Sequence, residues 1–340
     1  MPTLEKAKSH YESTWSRVNS IVTEEMKAGK SRTEILTTIV DSLSARFLSI
    51  QPFLDLYEDL GIEFEAAQAP KQRVAVIDGA YELRPFSQFG NDLVCSTIGN
   101  FLDRHIEDID CIVELGSGYG RNLFSIHDTL KHRFSIPKMH ACELTESGRQ
   151  VTKDLRQMDS EISLDIHSFD YFNPDFSFLD ENSNVLLLTV HSIEQIPLLK
   201  SPIFEKLISK VRKCNCFHFE PVGWQTDRQV LNKRNSPPVM ETVTSRLRTK
   251  SREIFSKILK RKSAARGFEN IELQSADIGS SRRVSSNASA WSMRAGYNTD
   301  LVSVLRSLEQ RKMMTIQSGS INKFGANPFN PTSVFHWESK

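Results

Sequence analysis

The sequence predicts a doubly wound α/β fold built on a mostly parallel, seven-stranded sheet. Two observations carry this expectation. From Cys111 onward, short apolar runs alternate with amphipathic segments of helical spacing, the pattern of strand–helix–strand units whose sheet is covered on both faces. The first of these runs ends in a cluster of glycines that opens directly into a helical segment, the position where such folds bind ligands. At 340 residues, 39% hydrophobic and 25% charged, the chain is long enough for one elaborated core or two modest domains.

The elements follow in order. A first helix is expected from about Leu4 to Lys27, stopping near Gly29. Ser31-Arg32-Thr33-Glu34 then forms a capping box, in which hydroxyl and carboxylate satisfy each other's backbone donors. Ile35, Leu36, Ile39, Val40, Leu43 and Phe47 recur at helical spacing, so this second helix should pack on the main domain or on a second subunit. A third helical pattern covers Asn91 to Ile106, and no strand alternation is read before it. Residues 1–107 are therefore expected to form an N-terminal helical region and 108–340 the α/β domain.

Within that domain, strands are expected at Cys111–Leu115, Lys138–Cys142, Ile162–His167, Val185–Val190 and Cys214–Phe219. Residues 225–267 read as a charged, helical insertion after the fifth strand, and Ser280–Ser292 as a mobile loop. Met313–Ser318 and Thr332–Trp337 supply two late strands across a turn-rich stretch.

Charge and composition exclude several classes. With 43 Lys+Arg against 42 Asp+Glu, bulk electrostatics favour no partner. No run approaches the roughly 18 apolar residues of a membrane span, and the polar N-terminus does not read as a signal peptide. A cytoplasmic location without a membrane span is expected. The five cysteines are odd in number and lack C-x-x-C spacing, so neither disulfides nor a zinc framework is expected, and no metal is called for.

The chemistry begins at Glu114-Leu115-Gly116-Ser117-Gly118-Tyr119-Gly120. Glycines at a strand end allow a sharp turn and close approach to a ligand, beside the exposed amides of the next helix. A P-loop would need Gly-Lys-Ser/Thr, whereas Gly120 is followed by Arg121 and Asn122. The dinucleotide fingerprint G-x-G-x-x-G would need glycine at position 121, which is arginine. What stands here is E-x-G-x-G-x-G.

That motif resembles the first motif of class I S-adenosylmethionine-dependent methyltransferases, a Rossmann-like family. Two further segments fall in register with it. Met139-His140-Ala141-Cys142-Glu143 places a carboxylate at the end of the second strand, and Ser168-Phe169-Asp170-Tyr171 follows the third. The resemblance implies S-adenosyl-L-methionine as cofactor, with Glu114, Gly116, Ser117, Gly118 and Gly120 in the turn. It further implies Glu143 on the ribose diol with Leu144 beside it, and Phe169, Asp170 and Tyr171 around the adenine. Upstream, the segment corresponding to Ala80–Asn91 often closes over the methionine end in this family. Arg84 would meet the carboxylate there and Phe86 or Tyr81 the sulfonium.

The acceptor side is read at the ends of the fourth and fifth strands. Neither Asn/Asp-Pro-Pro-Tyr nor a Pro-Cys nucleophile is present, which argues against adenine and cytosine methylation of those types. His191 has the intrinsic pKa of a general base, and Glu194 and Glu220 stand where they would orient it or a cationic acceptor. His218 alternates into its strand and reads as core. The expected function is methyl transfer to an oxygen or nitrogen of a small molecule or peptide. An RNA methyltransferase is the second reading, because Arg246–Arg266 holds nine Lys/Arg at amphipathic spacing. A non-catalytic cofactor-binding scaffold is the third, with the N-terminal helices mediating homo-oligomerisation.

Overall fold

The computed structural model describes residues 4–44, 51–61, 72–85, 92–199, 202–235 and 278–340. Helices α1 (Leu4–Lys27), α2 (Arg32–Ser44) and α3 (Gln51–Asp59) precede a hairpin, β1 (Gln72–Ile77) and β2 (Ala80–Pro85). The alternating region follows as α4 (Asp92–His105), β3 (Cys111–Leu115), α5 (Arg121–Leu130), β4 (Lys138–Glu143), α6 (Glu146–Arg156) and β5 (Leu164–Ser168). After it come β6 (Asn184–Val190), α7 (Ile203–Lys210), β7 (Lys213–Glu220), α8 (Arg228–Asn235), α9 (Ile278–Ala295), α10 (Leu301–Gln310), β8 (Met314–Gly325) and β9 (Thr332–Ser339).

The strands form one sheet in the order β2-β1-β8-β9-β7-β6-β3-β4-β5. Pairings among β5, β4, β3, β6 and β7 are parallel, and β7–β9, β9–β8, β8–β1 and β1–β2 are antiparallel. Among the described residues the sheet is thus nine-stranded and mixed, which corrects the expected seven strands. The two additional strands are β1 and β2, in a stretch where no strand was read. Their turn is Asp78-Gly79, with φ of +46° and +82°. Two consecutive left-handed residues give the twist a two-residue hairpin requires, so Asp-Gly was the available signal. Val74, Val76 and Tyr81 then bury against Phe53, Leu56 and Tyr57 of α3 and Val284 of α9.

Alternation along the central strands feeds two cores. Ile112, Met139, Leu186 and Leu188 face α1, α2, α4, α5 and α6, where Val22, Ile39, Leu102, Phe124 and Leu155 meet them. Val113, Leu115, Cys142 and Leu187 face α7 and α10, packing on Phe204, Leu207 and Leu305. Ile35, Leu36, Ile39 and Leu43 of the α2 stripe are therefore spent inside the chain, and Phe47 lies outside the described residues. Its capping box forms as read, with the Ser31 amide donating to Glu34 at 2.8 Å and the Glu34 amide to Ser31 Oγ at 3.4 Å.

A second correction concerns Ser280–Ser292, which lies in α9 and is no loop. Val284, Ser285, Ala288, Ser289 and Ser292 are buried at helical spacing. Their small side chains let the helix approach its neighbours closely, and Asn322 Nδ2 donates to Ser285 Oγ at 3.0 Å. The described part of the expected insertion is a 3-10 turn, Gly223–Thr226, followed by α8. The basic stretch 246–266 lies outside the described residues.

Candidate active site

The chain order reverses between β3 and β6, leaving a crevice at their carboxyl ends, the switch point where open α/β sheets bind ligands. On the β3 side, Gly116, Gly118 and Gly120 all adopt left-handed backbone, with φ of +69°, +58° and +76°. Space forbids a side chain as firmly as conformation does. A Cβ on Gly116 would lie 2.5 Å from Ser192 Cβ, and one on Gly120 2.8 Å from Thr152 Cγ2. The amides of Gly116 and Ser117 donate to the Cys142 carbonyl at 2.7 and 3.0 Å, tying the turn to β4.

Glu143 ends β4, buried, with its carboxylate accepting from Gly118 N at 3.0 Å, Thr145 N at 2.9 Å and Thr145 Oγ at 2.6 Å. Burial raises its pKa, and the donors of Thr145 and Gly118 oppose the shift. Arg149 Nη1 donates to the carbonyls of Glu143 and Leu144 at 2.9 and 2.8 Å, fixing this strand end. A carboxylate offers about four acceptor positions, so one stays open to a hydroxyl and a second opens if Thr145 Oγ rotates.

Beyond β5, Phe169 is buried while Asp170 accepts from the Phe172 amide at 2.8 Å, closing a local turn. Tyr171 Oη donates to the Leu115 carbonyl at 3.0 Å and lies 2.8 Å from Ser192 Oγ. Leu144, Phe169, Asp170 and Tyr171 line one end of the cavity beside Glu143. Glu114 is wholly enclosed, and burial above all pushes its pKa to about 8, against the hydrogen bond that Asn122 Nδ2 donates to Oε1. Its Oε2 and the neighbouring Ser117 Oγ are buried without a partner among the described residues. Ser117 lines the cavity, so its orphaned hydroxyl beside a cradle closed to any Cβ fits a polar ligand lying against this turn, whereas Glu114 lies off the cavity wall.

On the β6 side, His191 sits at φ +49°, a left-handed strain of the kind concentrated at functional sites. Its Nδ1 lies 3.4 Å from Glu194 Oε2, and its Nε2 2.6 Å from Thr332 Oγ1. Burial works to lower the His191 pKa, but Glu194, aided by Glu220, outweighs it and the net shift is upward. Glu194 is itself held by Asn330 Nδ2 at 2.8 Å and Gln195 Nε2 at 2.7 Å.

Of the two roles open to Glu220, beside His191 or on a cationic acceptor, its position favours the first. It is fully buried, and its carboxylate accepts from the amides of Ser192 (3.2 Å), Ile193 (3.1 Å) and Glu194 (3.1 Å). Burial, then the Glu194 charge, raise it to about 7. Its geometry holds the turn that carries His191 and Glu194, with no face on the cavity. His218 is core as read, with Nε2 accepting from Trp337 Nε1 at 2.9 Å and its pKa lowered to about 3 by burial.

The glycine turn, Glu143, Tyr171, His191 and Glu194 share one cavity of about 1180 Å³. That is slightly above the roughly 300–1,000 Å³ of a typical small-molecule site. Its walls include aromatic residues the sequence reading missed: Tyr11 and Trp15 of α1, Trp291, Tyr297 and Phe324. Trp15 lies over Gly118, 3.1 Å from the position of its absent Cβ. Glu12 locks α1 in place by accepting from the amides of Ser147 and Glu146 at the start of α6, at 2.9 and 3.2 Å. Local pattern gave no sign of this, because α1 precedes the glycine turn by about 100 residues. Arg84 has its backbone in β2 but its side chain outside the described residues, and Phe86 lies outside them altogether. No described helix is long and apolar enough to cross a membrane.

No protein-family model and no curated protein matches this sequence. Among solved structures, the chain is similar to the DszA carbon methyltransferase at 14% identity and TM-score 0.32, over 38% of this chain and 35% of that one. It thus spans about a third of that structure. It is similar to the plantazolicin methyltransferase BpumL, in complex with a desmethyl analogue and SAH, at 11% identity and TM-score 0.38, over 74% and 83% of the two chains. The third is a geranyl diphosphate methyltransferase in complex with GPP and sinefungin, at 10% identity and TM-score 0.38, over 72% and 78%. Each of these three structures is a methyltransferase.

Proposed function

We propose that this chain is an S-adenosylmethionine-dependent methyltransferase acting on an oxygen or nitrogen nucleophile of a small molecule or peptide. One observation carries the reading: a glycine turn with a buried strand-end carboxylate and a histidine–carboxylate pair line a single cavity of about 1180 Å³. When bound, S-adenosylmethionine supplies an electrophilic methyl carbon on a sulfonium. The Gly116–Gly120 turn, with Ser117 Oγ, borders its methionine end, and Glu114 supports the turn from beneath. Glu143 accepts from the ribose hydroxyls, and Leu144, Phe169, Asp170 and Tyr171 flank the adenine. Arg84 and Phe86 remain assigned to the methionine end by resemblance. Residues 1–107 act as the covering region, through Tyr11 and Trp15, and 108–340 as the catalytic domain.

Methyl transfer of this kind needs the nucleophile held in line and its proton removed. His191 Nε2 takes that proton, while Glu194 accepts from Nδ1–H and stabilises the resulting imidazolium. The Thr332 hydroxyl, 2.6 Å from Nε2, marks where an acceptor hydroxyl docks once Thr332 rotates away. Glu220 serves as a positioning residue for this pair. The test is calorimetry with S-adenosylhomocysteine, followed by an acceptor screen read by its release from S-adenosylmethionine. Micromolar binding is expected, and no binding at millimolar ligand would overturn the reading. Binding without release from any acceptor, with His191 intact, would leave the scaffold reading in its place.

A further inference from the structure

We propose that His140, His167 and Asp165 form a binding site for a divalent first-row transition-metal cation at the outer end of the sheet. The site is independent of methyl transfer. β5 is the edge strand, paired in parallel with β4 so that His140 lies opposite Asp165 and Cys142 opposite His167. This diagonal brings His140 Nδ1 to 2.9 Å from His167 Nε2. A carboxylate oxygen of Asp165 joins them, with all three ligand atoms within 4.8 Å of one another.

The distances suit a metal. Two nitrogens 2.9 Å apart, each at a bond length of about 2.0–2.1 Å, subtend about 90° at the ion. That is the angle between adjacent positions of an octahedron, with water completing the shell. Two imidazoles and one carboxylate suit iron, cobalt, nickel or zinc, more than magnesium or calcium. The ring of Phe178 stacks on His167 at 4.1 Å and 16°, and lies 5.3 Å from His140, holding both imidazoles in orientation.

A second cluster shows by contrast what a filled site looks like. His127, Asp128 and Asp159 also gather within ligand range, but the buried Arg32 guanidinium donates to both aspartates. A fixed cation already occupies that centre. At Asp165 the counter-ion is Lys138, 2.7 Å away, with side chains 52% and 41% exposed for lysine and aspartate. A half-exposed ammonium on a flexible stem can swing into water, freeing the carboxylate to close on an ion. A cation there would staple the edge strand to β4, three residues before Glu143 and Asp170.

The experiment uses the full-length chain, stripped with chelator and titrated with Co²⁺ by absorption and Zn²⁺ by calorimetry. One ion per chain is expected, with cobalt d–d bands and a rise in Tm. His167→Ala and Asp165→Asn, both at partly exposed positions, should each weaken binding by about 10- to 100-fold or more, with unchanged circular dichroism. Lys138→Met should tighten it by removing the competitor. Wild-type binding no tighter than that of the H167A/D165N double variant would overturn the proposal. The two rings would then be joined by a direct N–H···N hydrogen bond.

Discussion

Replacing Glu143 by glutamine isolates its charge from its shape. The amide oxygen can still accept from Thr145 N and Thr145 Oγ, now at 2.9 and 2.6 Å from Oε1. The amide nitrogen then faces the Gly118 N–H, which donates to Oε2 at 3.0 Å in the native protein. Two donors opposed in a buried place cost about 1–3 kcal/mol of stability, so the variant should melt lower yet remain folded. Cofactor affinity falls for a separate reason, since a ribose hydroxyl loses a charged acceptor worth about 1.5–3 kcal/mol. At about 1.4 kcal/mol per tenfold, S-adenosylhomocysteine should bind roughly 10- to 150-fold more weakly. Calorimetry at constant pH, with circular dichroism as the fold control, reads both effects. A folded Glu143→Gln protein with native affinity would refute the assignment of this carboxylate to the ribose.

Further outcomes are expected. Gly116→Ala places a Cβ 2.5 Å from Ser192 Cβ at φ +69°, so it should lower Tm and weaken S-adenosylhomocysteine together, by melting and calorimetry. His191→Ala should cut turnover by about 10²–10⁴ with cofactor affinity nearly intact. Because the base works deprotonated and Glu194 raises its pKa, native turnover should climb as pH rises through a value above that of an ordinary histidine. In Glu194→Gln, burial is left to act without that carboxylate, so the limb should move to lower pH; an unmoved limb would exclude His191 as the titrating base. Finally, Glu114 has a folded pKa near 8, above its unfolded value of about 4.3. Its contribution to stability is whole below the unfolded value and lost as pH climbs through the folded one. The urea midpoint of Glu114→Gln should therefore gain on the native protein from about pH 4.5 to 8 and then level off, and a pH-independent gap would contradict it.

The sequence by itself determined the parallel half of the sheet and the turn at its centre. Both are local properties: β-strand runs such as Val185–Val190 must be apolar on both faces when helices cover both, and left-handed backbone at three alternating positions demands glycine. For the same reason Glu143 and His191 could be placed at strand ends before their surroundings were known. Only the tertiary structure decided what those ends face. Tyr11, Trp15 and Trp291 reach the cavity from helices far away in the chain, and no periodicity within α1 or α9 distinguishes a cavity wall from ordinary core. Glu220 shows the same limit from the other side. Its position resembles that of a substrate contact, but three backbone amides of the His191–Glu194 turn, nearly 30 residues upstream, converge on its carboxylate. The hairpin β1–β2 and the serine-rich α9 likewise depend on partners elsewhere, since Val74, Val76 and Val284 become core only when brought together. Pattern along the chain records the preferences of each backbone segment; the destination of a side chain is fixed by long-range packing.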